Sequence, residues 1–454
     1  MCGIAGAAGK DSEKFVKKML EAIRHRGPDG SGTYSLGDIT LGNVLLKITG
    51  DGTQPLHNGG VLTYNGEIYN FHEIAEKLRL KTDSDSETLF KLIESTGAEA
   101  AIRELDGDYA FAYAKNGEIL LARDPAGVKP LYYGGTGDMF AFSSEIKSLL
   151  SVGISEIFAL MPGYMLSYKS GRLTEKKVTG FKAGERITDE NAASELLFNA
   201  MEQAVKKRIY NPCALAFSGG LDSSLIAALC GEVELYSVGM AGSHDVRQTK
   251  KAADLLGSGS KLHLHELTME EVESALPDIM RATGSSDPLK VSIALPLFFA
   301  SKDARNDGIR VMLSGQGADE LFAGYKRYES MDFNVLENAL RNDIDNIAAN
   351  NLERDDAVTM ANAVELRVPY LDKEVVELAL RIAPQLKICN GVRKYILRLA
   401  AAKLLPEELA WKEKKAAQYS SGVYSALEKL AKKNEYRGDR FLGRYLEDLR
   451  EDRK

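Results

Sequence analysis

Ala214-Leu215-Ala216-Phe217-Ser218-Gly219-Gly220-Leu221-Asp222-Ser223-Ser224-Leu225 decides how the second half of this chain folds. A short apolar run ends in two glycines, and an apolar helical pattern follows over 223–230. The order is therefore strand, tight turn, helix. The alternation continues downstream. Residues 235–238, 262–264 and 310–313 read as further short strands, and 246–255, 269–283 and 292–307 as helices between them. Strands that alternate with helices predict a doubly wound parallel sheet, an α/β fold with ligands at the carboxyl ends of its strands. From about residue 343 the chain reads as mostly helical.

Upstream the pattern differs. Helical spacing occurs over 12–25 (Phe15, Met19, Ala22, Ile23) and again over 87–93, while 61–64, 109–114 and 119–122 are short β-rich runs bounded by Gly, Asn and Asp. This mixture predicts an α+β sandwich whose sheets are faced by helices. The polar stretch Lys182-Ala183-Gly184-Glu185-Arg186 reads as a linker, so two domains are expected, at 1–183 and 190–454.

Hydrophobic residues make up 44% and charged residues 27% of the 454, an ordinary globular balance. A net charge of −7 offers no basic excess to neutralise phosphates, so no nucleic-acid partner is expected. No run of roughly 20 apolar residues predicts a membrane span, and Met1-Cys2-Gly3-Ile4-Ala5-Gly6 lacks a basic region leading into a long apolar core. Cys2, Cys213, Cys230 and Cys389 show no zinc-type spacing, and reduced thiols in a cytoplasm are the expectation.

Cys2 has a chemical use if Met1 is removed, as happens when the second side chain is small. A free α-amine titrates near neutrality and can take the proton of the thiol beside it. A second-position cysteine alone means little. Here it is followed in order by Arg24-His25-Arg26-Gly27-Pro28-Asp29, Tyr64-Asn65-Gly66-Glu67-Ile68-Tyr69-Asn70, Ser84-Asp85-Ser86-Glu87, Arg123-Asp124-Pro125 with Lys129-Pro130-Leu131-Tyr132, and Ser143-Ser144-Glu145-Ile146-Lys147. The ordered set resembles the class II glutamine amidotransferases, whose glutaminase domain is an N-terminal-nucleophile hydrolase of αββα type. The resemblance implies Cys2 as the nucleophile and Asn65 and Gly66 as the oxyanion hole. It also implies Glu67 and Asp85 as the grip on the glutamine amino group. Fixed donors are what a tetrahedral oxyanion requires. Asn65-Gly66 is equally the dipeptide of a type I′ hairpin turn, and both readings can hold.

In the second half, Ser218, Gly219, Gly220, Asp222, Ser223 and Ser224 form a strand-to-helix loop with small residues that let N–H groups approach phosphate oxygens. The lysine of a Walker loop is absent. The loop resembles the pyrophosphate loop of enzymes that split ATP into AMP and pyrophosphate. A second loop, Ser314-Gly315-Gln316-Gly317-Ala318-Asp319-Glu320-Leu321-Phe322, resembles that of the asparagine synthetase domain. The resemblance implies an ATP pocket lined by Phe217, Val238, Gly239, Ser314 and Gly315, and Lys394 as the catalytic lysine. Asp222 and Asp319 are the expected Mg²⁺ ligands, since Mg²⁺ typically takes one or two carboxylates plus phosphates.

The chain departs from the family pattern twice. Leu45 stands where an arginine usually grips the substrate carboxylate, and Lys47, two residues on and so on the same strand face, is the expected substitute. Gln316 stands where a carboxylate is common, and glutamine cannot take up a proton. Glu320 or a phosphate oxygen is the alternative base. The resemblance as a whole implies a glutamine-dependent asparagine synthetase, with glutamine, aspartate and ATP as partners, no membrane, and a homodimer compatible with it. The alternatives are a related ligase for another carboxylate, or a glutamine- or nucleotide-sensing protein.

Overall fold

The computed structural model describes residues 2–50, 52–412 and 421–451; Met1, whose removal the nucleophile reading requires, lies outside them. Packing divides the chain into two units. One comprises Met1–Lys182 together with Ile347–Asp356, and the other Ala183–Asn346 with Ala357–Lys454.

The first unit is built by period-two alternation. Ala110, Ala112 and Ala114 point to one side of strand Gly107–Lys115, while Tyr109, Phe111 and Tyr113 point to the other. The small side packs between two sheets with Ile4, Leu41, Val61 and Phe142. The aromatic side packs under helix Asp85–Thr96 through Leu89, Phe90 and Ile93. On the opposite face, Ala5 and Ala7 of strand Gly3–Ala8 meet Val16, Met19 and Leu20 of helix Ser12–Ala22. Both sheets are antiparallel and six-stranded. Strand Gly3–Ala8 lies between Ile39–Leu45 and Met139–Ser143 in one, and Val61–Ile68 beside Gly107–Lys115 in the other. Helix, sheet, sheet and helix form the four layers of the expected αββα sandwich.

The second unit carries a five-stranded parallel sheet in the order Leu262–Leu267, Glu234–Met240, Ala214–Ala216, Val311–Leu313, Glu365–Arg367. Its third, second and first strands in sequence are followed across the sheet by its fourth and fifth. The order therefore reverses between Ala214–Ala216 and Val311–Leu313, and the crevice beyond their carboxyl ends is where open α/β sheets hold ligands. Helix Glu190–Lys206 begins where the linker was expected to end, with the Asp189 side chain accepting from Ala192 N (2.7 Å). Thr268 and Glu271 form a capping box on helix Met269–Thr283. The fifth strand was not expected from the sequence, which reads as helical there. Its Glu365 and Arg367 are buried and pair with each other at 2.8 Å, so the polar residues of a short core strand read as surface. Among the described residues, no helix is long and apolar enough to cross a membrane.

Candidate active sites

Strand pairing places the Cys2 thiol. Gly3 is in register with Val44, so Cys2 emerges at the end of its strand beside Leu45 and Leu46. Cys2, Leu45, Lys47, Thr49, Gln54, Tyr64, Gly66, Glu67, Asp85 and Ser86 all line one pocket. Cys2 N donates to Asn65 Oδ1 at 3.0 Å, which fixes the orientation of that amide. The other end, Asn65 Nδ2, is buried and finds no partner among the described residues. Leaving such a donor unmade costs about 1–3 kcal/mol, and a donor held ready for an oxyanion is a reason to bear it.

Asn65-Gly66 is not a turn. Both residues lie inside strand Val61–Ile68, in register with Ala110 and Tyr109. Glycine is required at 66 by close approach: a Cβ there would stand 2.2 Å from Asp108 O and 2.7 Å from Tyr109 Cα. The hairpin alternative is thereby corrected, and the turn-like composition reflects crowding by the neighbouring strand.

The acidic residues are held rigidly. Glu67 accepts the Thr49 hydroxyl at 2.9 and 3.0 Å. Asp85 accepts from Tyr64 Oη (2.7 Å), Ile68 N (3.3 Å) and Ser86 N (2.6 Å). Lys47 has an exposed side chain on the cavity rim, and its backbone N–H donates to Asp29 (2.8 Å). The cavity thus presents two carboxylates and one ammonium, complementary to the α-amino and α-carboxylate groups of an amino acid. Sequence reasoning did not single out Thr49 or Gln54, which carry no charge and hold no distinctive spacing, and Ser86 entered only as a neighbour of Asp85 in its motif. Asp124, from the Arg-Asp-Pro motif, is buried away from the cavity lining. It accepts from the backbone of Ala126, Val128 and Lys129, and burial, with Asp108 nearby, pushes its carboxyl up to about 6.

The two loops of the second unit converge at the strand-order reversal. A Cβ on Gly315 would lie 3.1 Å from Asp222 Cβ, so glycine at 315 lets the two loops pack closely without strain. Ser218 N points to Ser223 Oγ (3.3 Å), and helix Leu221–Cys230 starts at the turn with its N-terminus facing the same crevice. Phe217 is buried with its N–H on Tyr236 O (2.8 Å), and Ser314 N donates to Arg367 O (3.0 Å). Val238 and Gly239 lie near the end of strand Glu234–Met240, where Gly239 faces Ser243 Oγ (3.1 Å from an added Cβ).

Lys394 joins the loops. Its Nζ lies 2.7 and 2.6 Å from the two oxygens of Asp222 and 2.7 Å from Asp319 Oδ1. Burial alone would lower its pKa, but Asp222 and Asp319 outweigh that and raise it, so the ammonium is fixed in the charged form. Gly324 makes room, since a Cβ there would fall 1.7 Å from Asp319 Oδ1 and 2.3 Å from Lys394 Cε. Lys394 (φ 56°) and Ala323 (φ 58°) both sit in the left-handed region, which non-glycine residues enter at a cost of about 1–3 kcal/mol and mostly at functional sites. Tyr370, absent from the sequence reading, donates to Asp222 O at 3.2 Å and braces the first loop. Glu320 is buried and accepts the Tyr325 hydroxyl; burial raises its pKa, and Asp319 adds to the effect. Gln316 is half-buried on the second loop.

An αββα sandwich with a thiol at a strand start, joined to a doubly wound sheet with paired loops at its switch point, defines a two-unit amidotransferase-type chain. Residues 1–192 match the family model described as a glutamine amidotransferase domain, and residues 197–339 and 334–439 match that described as asparagine synthase. The chain is 37% identical over 526 residues to the protein of Methanocaldococcus jannaschii named "Putative asparagine synthetase (glutamine-hydrolyzing) 1", covering 95% of this chain and 96% of that one. It is 31% identical over 474 residues to asparagine synthetase B (glutamine-hydrolyzing) of Escherichia coli, covering 95% and 84%. With asparagine synthetase 2 (glutamine-hydrolyzing) of rice it shares 32% over 470 residues, covering 93% and 77%. The chain belongs to the glutamine-hydrolysing asparagine synthetase family.

Proposed function

We propose that the chain makes asparagine from aspartate, glutamine and ATP, with residues 1–183 as the glutaminase domain and 190–454 as the synthetase domain. The observation that carries the reading is the presence in one chain of two built constellations. One is a thiol whose neighbouring amide donor is buried and unspent; the other is a lysine locked between carboxylates from two loops.

In the first stage the Cys2 thiolate attacks the side-chain amide of glutamine. Asn65 Nδ2 and the Gly66 N–H stabilise the oxyanion, Glu67 and Asp85 orient the amino group, and Lys47 takes the place of the family arginine on the carboxylate. A thioester forms, ammonia leaves, and water releases glutamate. In the second stage the Ser218–Ser224 loop and the helix start behind it cradle the phosphates of ATP, with Phe217, Val238, Gly239, Ser314 and Gly315 around the adenosine. The aspartate β-carboxylate attacks the α-phosphorus, giving β-aspartyl-AMP and pyrophosphate. Ammonia then displaces AMP.

Asp222 and Asp319 fit a Mg²⁺ site: two carboxylates converge on one point, where Lys394 now balances them, and Mg²⁺ typically binds one or two carboxylates plus phosphates. The ion would supply charge neutralisation at the triphosphate. Lys394 supplies a second fixed positive charge for the leaving pyrophosphate. Gln316 can orient a nucleophile by hydrogen bonding without accepting its proton.

The test is incubation with glutamine, aspartate and Mg–ATP. Asparagine, glutamate, AMP and pyrophosphate should appear in equal amounts. Pyrophosphate formed only with another acid would replace this reading with that of a related ligase, and no turnover would replace it with that of a sensor.

A further inference from the structure

Arg26 is the largest fully buried side chain of the first unit that touches the thiol residue, and the sequence motif holding it left it without a role. It ends the short 3₁₀ turn Arg24–Arg26 behind helix Ser12–Ala22. Its Nε donates to Cys2 O at 3.2 Å. Its other donors are taken by carboxylates: Nη1 reaches Glu145 Oε1 (2.9 Å) and Asp356 Oδ2 (2.7 Å), and Nη2 reaches Asp356 Oδ1 (3.2 Å). The Asp356 contact is bidentate, the geometry that best fixes a guanidinium plane. Glu145 also meets His25 Nε2 (3.0 Å) and Lys147 Nζ (2.7 Å), and Asp356 meets Arg26 end-on with both oxygens.

Asp356 is distant in sequence from every other member of this cluster. It closes the segment Ile347–Asp356, which packs with the first unit although the residues before and after it belong to the second. The segment is firmly seated. Ile347, Ala348 and Leu352 are buried, and Ala348 Cβ would lie 2.9 Å from any Cβ at Gly127. Glu353 takes Arg123 Nη2 at 3.2 Å, while the remaining donors of Arg123 are spent on the carbonyls of Lys129, Leu160 and Gly127. Ala348–Leu352 is a π-helical turn, a form that recurs at functional sites. Two buried arginines therefore moor one short segment, and one of them reaches from it to the backbone of the nucleophile.

We propose that Asp356 is a positioning residue for glutamine hydrolysis: it sets the Arg26 guanidinium, and Arg26 sets the Cys2 carbonyl and with it the direction of the thiol. The inference rests on the Cys2 reading above. Asp356 is not among the residues lining the pocket that holds Cys2, Glu67 and Asp85, so its loss should alter the attack step and leave the grip of Glu67 and Asp85 on glutamine intact.

The test uses the full chain with Asp356→Asn, which keeps shape and one acceptor but loses the charge and the bidentate contact. Glutamate release from glutamine, alkylation of Cys2 by iodoacetamide followed by mass spectrometry, and ammonia-driven pyrophosphate release are measured together. The expected result is a fall in glutaminase kcat of about tenfold to a hundredfold, the usual effect of misplacing a reacting group by an ångström. KM should stay within about threefold, Cys2 alkylation should slow or its pH profile shift, and ammonia-driven synthesis should persist. Asp356→Glu, which restores the charge, should recover part of kcat. Unchanged glutaminase in Asp356→Asn would overturn the proposal, as would parallel loss of both activities, which marks a folding role only. A wild-type enzyme that releases no glutamate, or a Cys2→Ala variant that still does, would fail the nucleophile reading itself.

Discussion

Replacing Asn65 by alanine tests the thiol site directly, and its two consequences can be worked from the contacts. Asn65 Oδ1 holds Cys2 N at 3.0 Å, and Nδ2 is buried without a partner. Truncation takes away the acceptor of the buried Cys2 N, at a cost of about 1–3 kcal/mol, and relieves an unpaired buried donor whose cost is about the same. The two offset, so stability should barely move. Catalysis should move a great deal. Removing one oxyanion-hole donor typically costs about 2.7–4 kcal/mol, or roughly a hundred- to a thousandfold in kcat. Asn65→Asp should lose at least as much, because it keeps the acceptor for Cys2 N but turns a lone pair toward the developing negative charge. The assay is glutamate release from glutamine, paired with ammonia-driven asparagine formation and a thermal melt. Glutaminase within about threefold of wild type, or a parallel fall in the ammonia-driven reaction, would refute the oxyanion reading.

The other sites make sharper demands in fewer steps. Lys394→Met should abolish pyrophosphate release while glutamate release continues, and it leaves Asp222 and Asp319 facing each other without their shared cation. Breaking a buried pair of this kind costs about 3–5 kcal/mol, so the melting temperature should drop and rise again on adding Mg²⁺; no Mg²⁺ response would count against the metal assignment. Lys47→Ala should raise the KM for glutamine about tenfold with little change in ammonia-driven synthesis, whereas Lys47→Arg, which restores the bidentate fork, should lower it. His265 is held between Asp303 (2.8 Å) and Glu271 (3.0 Å); burial works against its charge, but the two carboxylates prevail and raise its pKa. A raised folded pKa means stability that is fully present below the ordinary histidine value and lost as pH climbs through the higher one. Melts of wild type should therefore fall from pH 6 toward pH 8 more steeply than those of His265→Gln, and identical slopes would refute it.

Much of this architecture could be read from residue order. Strand–loop–helix alternation from Ala214 onward demanded a parallel sheet, and the four apolar runs that were read as strands are strands within a few residues. What escaped the reading had a common cause. Glu365–Arg367 is a core strand that buries a charged pair, so hydrophobic patterning could not find it. Asn65-Gly66 has turn chemistry but sits mid-strand, because the demand for glycine came from the neighbouring chain. At the candidate sites, charged residues in motifs were visible, while neutral supports such as Thr49 and Tyr370 were not. The membership of Ile347–Asp356 in the first unit is a long-range packing fact, and helical periodicity says only that a helix has an apolar face, never which core receives it.

That ten-residue excursion bears on how the protein is made. A ribosome completes residues 1–182 well before it reaches Asp356, so the newly emerged sandwich holds Arg26 with part of its counter-charge still unsynthesised. The thiol is then braced only after most of the ammonia-consuming half has been translated. A prematurely terminated chain would carry the cysteine without its strut, and the cell would be spared a fragment that spends glutamine to no purpose.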